Sequence, residues 1–217
     1  MSRFSLIVFD LDGTLIDSRR DLANATNALL VECGGEPLEE ERVGRMVGDG
    51  APTLVARAFA ASGVAPPREA VDRFLRIYRD HLLDYTRPYP GIPDLLEALR
   101  AHRRLAVLTN KPLASTRRIL DGLALAQYFP PDAVIGGDGP LPRKPDPAGL
   151  RHLAQCAHVA LTDTLLVGDS AIDWRTARAA PSAVCLVRYG FGFEGISAEE
   201  LDVEVRVIDA PSELMSL

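Results

Sequence analysis

The 217-residue chain reads as an α/β protein, a parallel sheet core with a helical segment inserted after its first strand. Three observations predict this. Short apolar runs rich in β-branched residues recur along the chain, segments with helical spacing separate the later runs, and nearly a hundred residues part the first run from the second.

The first run, SLIVF (5–9), leads into the acidic segment VFDLDGT and predicts the first strand. The stretch from about 18 to 85 carries helical patterning and no convincing strand. Within it, RRDLANATNALLVECGG places Leu22, Ala25, Leu29 and Leu30 on one face before a Gly-Gly stop, which predicts a helix. A second helix is expected at about 51–62 and a third at 67–85. A βα unit needs only about a third of the length available here, so these helices are an insertion. Pro88, Pro90 and Pro93 mark the return to the core, with Pro93 suited to the first turn of a helix at 91–102. RLAVLT (104–109), AVIGG (133–137), TLLVGD (164–169) and AVCLV (183–187) predict four further strands, with helices at 113–127, 147–158 and 173–180. That alternation makes a parallel sheet with right-handed crossovers. No internal repeat or low-complexity stretch interrupts it.

Composition narrows the function. At 47% hydrophobic residues the chain has enough apolar material for a real core, as one large domain or two small ones. The formal net charge is −6 and no basic run is present, which argues against nucleic acid as a partner. The apolar run near the N-terminus is too short for a signal peptide or a membrane span, so a cytoplasmic protein without membrane contact is expected. Cys33, Cys156 and Cys185 have no C-x-x-C spacing and read as small buried hydrophobes, while the four histidines form no metal-binding pattern and default to surface or half-buried packing.

VFDLDGT sets Asp10 and Asp12 two residues apart where a strand ends, and in extended backbone such a pair points to one side. Gly13 permits a tight turn, and amides across 11–14 are placed to donate to an anion. Close carboxylates repel, which calls for a divalent cation or a shared proton; Mg²⁺, a hard cation that seeks oxygen, suits acids and phosphate alike. Alone, the segment is equally a polar loop capping a helix or a calcium-type turn. LTNKP ends another strand with Thr109 and Asn110, whose hydroxyl and amide suit phosphate oxygens or a helix cap. PRKPDP holds Lys144 between prolines, either as counter-charge to phosphate and aspartate or as a solvated loop lysine. VGDSAID supplies Asp169 at a strand end and Asp173 four residues later, for a metal or for an N-cap and first-turn acid. All four segments fall at the C-terminal ends of predicted parallel strands, where open α/β sheets place their ligand crevice. Their order and position are the strong signal.

Together VFDLDGTLIDS, TNKP, RKPDP and VGDSAID resemble the four motifs of the haloacid dehalogenase superfamily of phosphotransferases, and the likeness runs the whole chain. More narrowly, VGDGAPTLVARAF, RPYPGI, LTNKP, GGDGPLPRKPDP and RYGFG resemble its phosphoglycolate phosphatase branch. The resemblance implies a Rossmann-like core of residues 1–16 and 86–217, an α-helical cap over 17–85, and Mg²⁺. It implies Asp10 as nucleophile, Asp12 as general acid and base, and Thr109 and Lys144 as phosphate-side partners. Asp10, Asp169 and the backbone carbonyl of Asp12 would hold the metal, with Asp173 either a further ligand or, as we favour, a support behind it.

The implied reaction is hydrolysis of a small phosphorylated metabolite through an aspartyl phosphate, with 2-phosphoglycolate first among substrates and N-acetylmuramate 6-phosphate its nearest rival. The protein would act as a monomer or homodimer. Two other readings stand beside it: a phosphotransferase of the β-phosphoglucomutase kind, and an idle receiver-like module that binds metal or phosphate. Dehalogenase chemistry is disfavoured, because a halide needs no proton and that branch lacks the second aspartate. Asn110 joins the expected substrate contacts. In the inserted segment, Gly48 and Gly50 either expose amides to a substrate's anionic end or join two helices, and Arg45 either pairs with a substrate carboxylate or sits on the surface. RYGFG (188–192) either lines the entrance or forms a turn. Trp174 and Pro181 depart from the family pattern, where a small aliphatic residue and a glycine are usual; neither removes a catalytic group.

Overall fold

A computed structural model describes residues 4–192, 195–197 and 205–216. Strand β1 (Leu6–Phe9) is followed at once by the Asp10 turn and a two-residue strand β2 (Ile16–Asp17). Helices α1 (Arg19–Glu32), α2 (Glu40–Gly44), α3 (Ala51–Ser62) and α4 (Ala70–Asp80) form the inserted segment. The chain returns through β3 (Arg87–Pro88), then alternates α5 (Ile92–Arg100), β4 (Arg104–Leu108), α6 (Leu113–Gly122), β5 (Val134–Ile135), α7 (Ala148–Cys156), β6 (Thr164–Gly168), α8 (Ala171–Ala179), β7 (Ala183–Val187) and β8 (Arg206–Ile208).

The six longer-range strands form one sheet in the order β5-β4-β1-β6-β7-β8, with every neighbouring pair parallel. The chain builds outward from β1 to β5, then crosses back to place β6 on β1's other side. A doubly wound sheet opens its ligand crevice at such a reversal, beyond the strands' carboxyl ends. Asp10 and Asp169 are the first residues after the two strands that flank it.

Side-chain alternation along these strands feeds two apolar layers. Ile7, Phe9, Leu105, Val107, Leu165 and Val167 pack with Ile92, Leu95, Leu96 and Leu99 of α5 and Ile119 and Leu120 of α6. Leu6, Val8, Ala106, Leu108 and Leu166 pack on the opposite face with Leu150, Leu153 and Ala154 of α7 and Ala177 of α8. Trp174 joins this second layer, while its indole nitrogen is buried without a partner.

Residues 10–17 enter no helix after the acidic turn; β2 intervenes and pairs antiparallel with β3, Ile16 opposite Pro88 and Asp17 opposite Arg87. Both crossings between sheet and inserted helices therefore lie in one short ribbon. Asp21 fastens it: the buried carboxylate accepts from the amides of Tyr85 and Thr86 and from the Thr86 hydroxyl. The expected faces of α1 hold, with Leu22, Ala25, Leu29 and Leu30 all buried. Of the cysteines only Cys185 is fully buried; Cys156 is exposed, because it lies on the outer face at the end of α7. No helix among the described residues is long and apolar enough to cross a membrane.

Candidate active site

The turn after β1 is held by its own backbone. The Asp10 amide donates to the Val167 carbonyl at 2.8 Å, continuing the β1–β6 ladder one step past the strand. Gly13 takes a φ of +84°, and a side chain there would run into the Asp169 carboxylate, so glycine is required both for the turn and for the close approach of the two strand ends. The Gly13 and Thr14 amides donate to the carbonyls of Ile16 and Leu11. Those two donors, expected to face an anion, are spent on the turn itself.

Three groups meet around Asp10. Lys144 Nζ lies 2.9 Å from Asp10 Oδ1 and 2.6 Å from Asp173 Oδ1, with all three side chains buried. Asp10 Oδ1 nonetheless has no aligned hydrogen-bond donor, so its contact with Lys144 is an ion pair that leaves a buried lone pair unmatched. Asp169 accepts the Phe191 amide at 2.7 Å on Oδ2 and the Thr14 hydroxyl at 3.4 Å on Oδ1. Asp173 has both oxygens engaged, Oδ1 by Lys144 and Oδ2 by the hydroxyl and amide of Ser170 in a reciprocal cap at the start of α8.

One ammonium faces three carboxylates. Burial pushes the Asp10 carboxyl up to about 6, with Lys144 pulling it down and the charge of Asp173 pushing it further up. Asp169 is raised well above the ordinary carboxylate range, first by burial and then by the charges of Asp10 and Asp173. Lys144 is held above its usual value: burial opposes its charge, but Asp10 and Asp173 outweigh that cost. Ligand oxygens of Asp10, Asp169 and Asp173 lie within 4.8 Å of one another. An excess of buried, hard oxygen donors with one unmatched lone pair fits a divalent cation such as Mg²⁺.

A second charged pair stands beside the first, and sequence reading missed it. Lys111 Nζ reaches both oxygens of Asp12 at 2.8 Å, while the Ser18 hydroxyl donates to Asp12 Oδ1 at 2.5 Å. Tyr78 of α4 covers the ammonium, with its ring centroid 4.6 Å from Nζ. Burial opposes the Lys111 charge, and Asp12 more than restores it, so the pKa rises. Lys111 belongs to the LTNKP segment but reads there as the polar start of a helix; its partner is 99 residues away.

The remaining expected residues divide. Thr109 is buried at the end of β4, where its hydroxyl accepts the Lys111 amide at 3.2 Å and keeps its own proton for an anion. Asn110 lines the cavity, but its amide nitrogen donates to the carbonyls of Gly48 and Lys144, both at 2.9 Å. Expected to donate to substrate, it ties the α2–α3 loop and the Lys144 loop together and offers only an acceptor oxygen. Gly48 is thus engaged through its carbonyl, and Gly50 is the residue on which α3 starts. Both line the cavity over Asp10 with Leu22, Val47, Leu54, Phe74, Tyr78 and Lys111. Arg45 is exposed and lines an adjoining cleft with Asp12, Gly48, Asp169, Phe191 and Gly192, so the end of RYGFG lies beside the acidic turn.

Known proteins resemble this chain over most of its length. Residues 7–187 match the family model described as haloacid dehalogenase-like hydrolase. The chain is 44% identical over 201 residues to the phosphoglycolate phosphatase of Rhodospirillum rubrum, covering 88% of this chain and 83% of that protein. It is 40% identical over 207 residues to the phosphoglycolate phosphatase of Nitrosospira multiformis, covering 93% and 90%. The crystal structure of a predicted phosphoglycolate phosphatase from Haemophilus somnus 129PT superposes with a TM-score of 0.89 at 29% identity, covering 100% of this chain and 98% of that one. With the four motifs converging on one crevice and the match spanning both sheet and insertion, the chain belongs to the haloacid dehalogenase-like hydrolase family.

Proposed function

We propose that this protein is a phosphoric monoester hydrolase that cleaves 2-phosphoglycolate to glycolate and phosphate in the cytoplasm, with Mg²⁺ as its metal. The observation that carries the reading is the pair of buried carboxylates at the end of β1, each beside its own lysine: Asp10 with Lys144 and Asp12 with Lys111. Two acids in one turn thereby acquire two environments, and two roles.

Asp10 is the nucleophile. Its unmatched oxygen attacks phosphorus in line and forms an aspartyl phosphate as the ester bond breaks. Asp12 donates its proton to the departing alkoxide, then takes one from the water that hydrolyses the intermediate. Lys144 and the Thr109 hydroxyl hold the phosphoryl oxygens. Asp10, Asp169 and the carbonyl of Asp12 would hold Mg²⁺, which supplies positive charge against the phosphoryl oxygens and keeps the crowded acids ionised. Asp173, with both oxygens engaged, supports Lys144 and the start of α8 from behind.

Residues 17–85 act as a cap over this floor. The cavity beneath them measures about 50 Å³, room for a few water-sized groups, and its walls are largely apolar. A two-carbon leaving group suits that space better than an amino sugar.

The test is phosphate release with Mg²⁺ over a panel of 2-phosphoglycolate, N-acetylmuramate 6-phosphate, glucose 1-phosphate and pyrophosphate. We expect phosphoglycolate to have the highest kcat/KM, with activity lost in EDTA and restored by Mg²⁺. A sugar phosphate ranking first would remove the substrate assignment, and isomerised product without free phosphate would replace hydrolysis by phosphotransfer.

A further inference from the structure

The cavity over Asp10 contains two polar features that the chemistry at phosphorus does not use. Among the described residues Lys111 is the one cation lining it, and Tyr78 is 3% exposed, its buried hydroxyl without an aligned partner and with the Lys111 ammonium beside it. A buried hydroxyl without an aligned partner is uncommon and calls for an explanation, such as a ligand atom that completes it. An ammonium has three N–H donors, and the two oxygens of Asp12 engage no more than two of them. Lys111 comes from the loop after β4 and Tyr78 from the inserted helix α4, so the two groups meet only where cap and core close on each other.

We infer that Lys111 and Tyr78 form the subsite for a carboxylate on the substrate's leaving group. The inference rests on the phosphoglycolate reading and deepens it. Lys111 sits against Asp12, the residue that protonates the leaving oxygen, so it stands beside the atoms attached to that oxygen. In 2-phosphoglycolate the carboxylate is one methylene beyond it. The roof side chains Leu22, Val47, Leu54 and Phe74 are apolar and give a carboxylate nothing to bind. Arg45, which the sequence offers either as a partner for the acid or as a surface residue, is exposed and lines the adjoining cleft with Asp12, Asp169 and Phe191 rather than this cavity. A carboxylate in this cavity is bound by the cation already buried there.

The experiment compares kcat/KM for 2-phosphoglycolate and for ethyl phosphate, which has the same skeleton without the acid, in the parent, Lys111→Gln, Tyr78→Phe and Arg45→Gln. Loss of folded protein, or of support for Asp12, lowers both substrates equally and cancels in their ratio. Loss of the subsite lowers the ratio itself. We expect the ratio to fall about 100-fold in Lys111→Gln and about fivefold in Tyr78→Phe. A fall of less than about tenfold in Lys111→Gln, or a larger fall in Arg45→Gln, overturns the subsite. If Lys111→Gln does not fold, Tyr78→Phe decides, with a fall of less than about threefold counting against the inference. A parent that prefers neither phosphoglycolate nor ethyl phosphate defeats the substrate reading itself, whereas a parent with the preference that survives both variants defeats only the subsite.

Discussion

The crevice floor and the inserted helices above it are built on opposite principles. On the floor, the ends of β1, β4 and β6, the loop before α7 and the first turn of α8 crowd Asp10, Asp12, Asp169, Asp173, Lys111 and Lys144 together, and nearly every charged atom has a partner in the protein. Above it, α1, α3 and α4 present mainly Leu22, Leu54, Phe74 and Leu75, with Tyr78 as the polar exception. The contrast separates two tasks. A floor whose charges are fixed by the sheet stabilises developing charge without reorganising, whereas an apolar roof can only exclude water and select by size, except where a polar group is let into it.

The sharpest way to break the contrast is Asp10→Asn. Turnover should fall at least about 10⁴-fold, because an amide cannot be the nucleophile. Stability should hold or rise, since the change removes one of three crowded acids and leaves Lys144 with Asp173. Steady-state phosphate release and a thermal melt measure both, and activity near the parent's would end the assignment.

A change at the seam between the regions should show the reverse pattern. Asp21→Ala strips the acceptor from the amide and hydroxyl of Thr86 and from the amide of Tyr85. We expect a stability loss of about 4 kcal/mol, or about 10 °C in Tm, from buried donors left unpaired. Activity per folded molecule should change far less than stability. A melt unmoved by the substitution would show that the ribbon does not depend on this carboxylate.

The smallest effect probes the floor alone. Asp10 has a folded-state pKa of about 6 against an ordinary value of 3.8, and Asp169 is shifted the same way. The folded state therefore binds protons more tightly than the unfolded one, so the metal-free protein should lose stability as pH rises from the ordinary carboxylate range through about 6. The loss due to Asp10 is at most about 3 kcal/mol. Urea unfolding in EDTA at about pH 5 and about pH 7.5 reads it, and added Mg²⁺ should flatten the slope by binding the folded form. A metal-free protein equally stable at both would mean that the acids are not crowded in solution.

Much of the architecture could be read without coordinates, and the misses share a cause. All five expected strands are present, although 133–137 shrinks to Val134–Ile135 between a 3₁₀ turn at Pro131–Ala133 and the paired glycines. The helix expected at 67–85 occupies Ala70–Asp80, and that expected at 113–127 stops at Gly122. α8 begins at Ala171 rather than 173 because Ser170 caps it. Overlooked were β2 and β3, two residues each, β8, with three, and α2, with five. Elements that short have no periodicity to detect; they exist because neighbours pair with them or pack on them.

The sequence alone determined the sheet class, the inserted helices, the strand-end positions of Asp10, Asp12, Thr109, Asn110 and Asp169, and the places of Lys144 in a proline-flanked loop and of Asp173 just past a strand. Periodicity and turn chemistry are local properties, and the sheet's twofold alternation projects them directly onto space. Only the tertiary structure decided what those groups do to one another. It gave Lys144 to Asp10 and Asp173, gave Lys111 to Asp12 beneath Tyr78, committed the Asn110 amide to Gly48 and Lys144, and left Arg45 outside the cavity. Pairings of charge depend on distances across the fold, which fall off steeply and are set by how the sheet and inserted helices pack, not by separation along the chain.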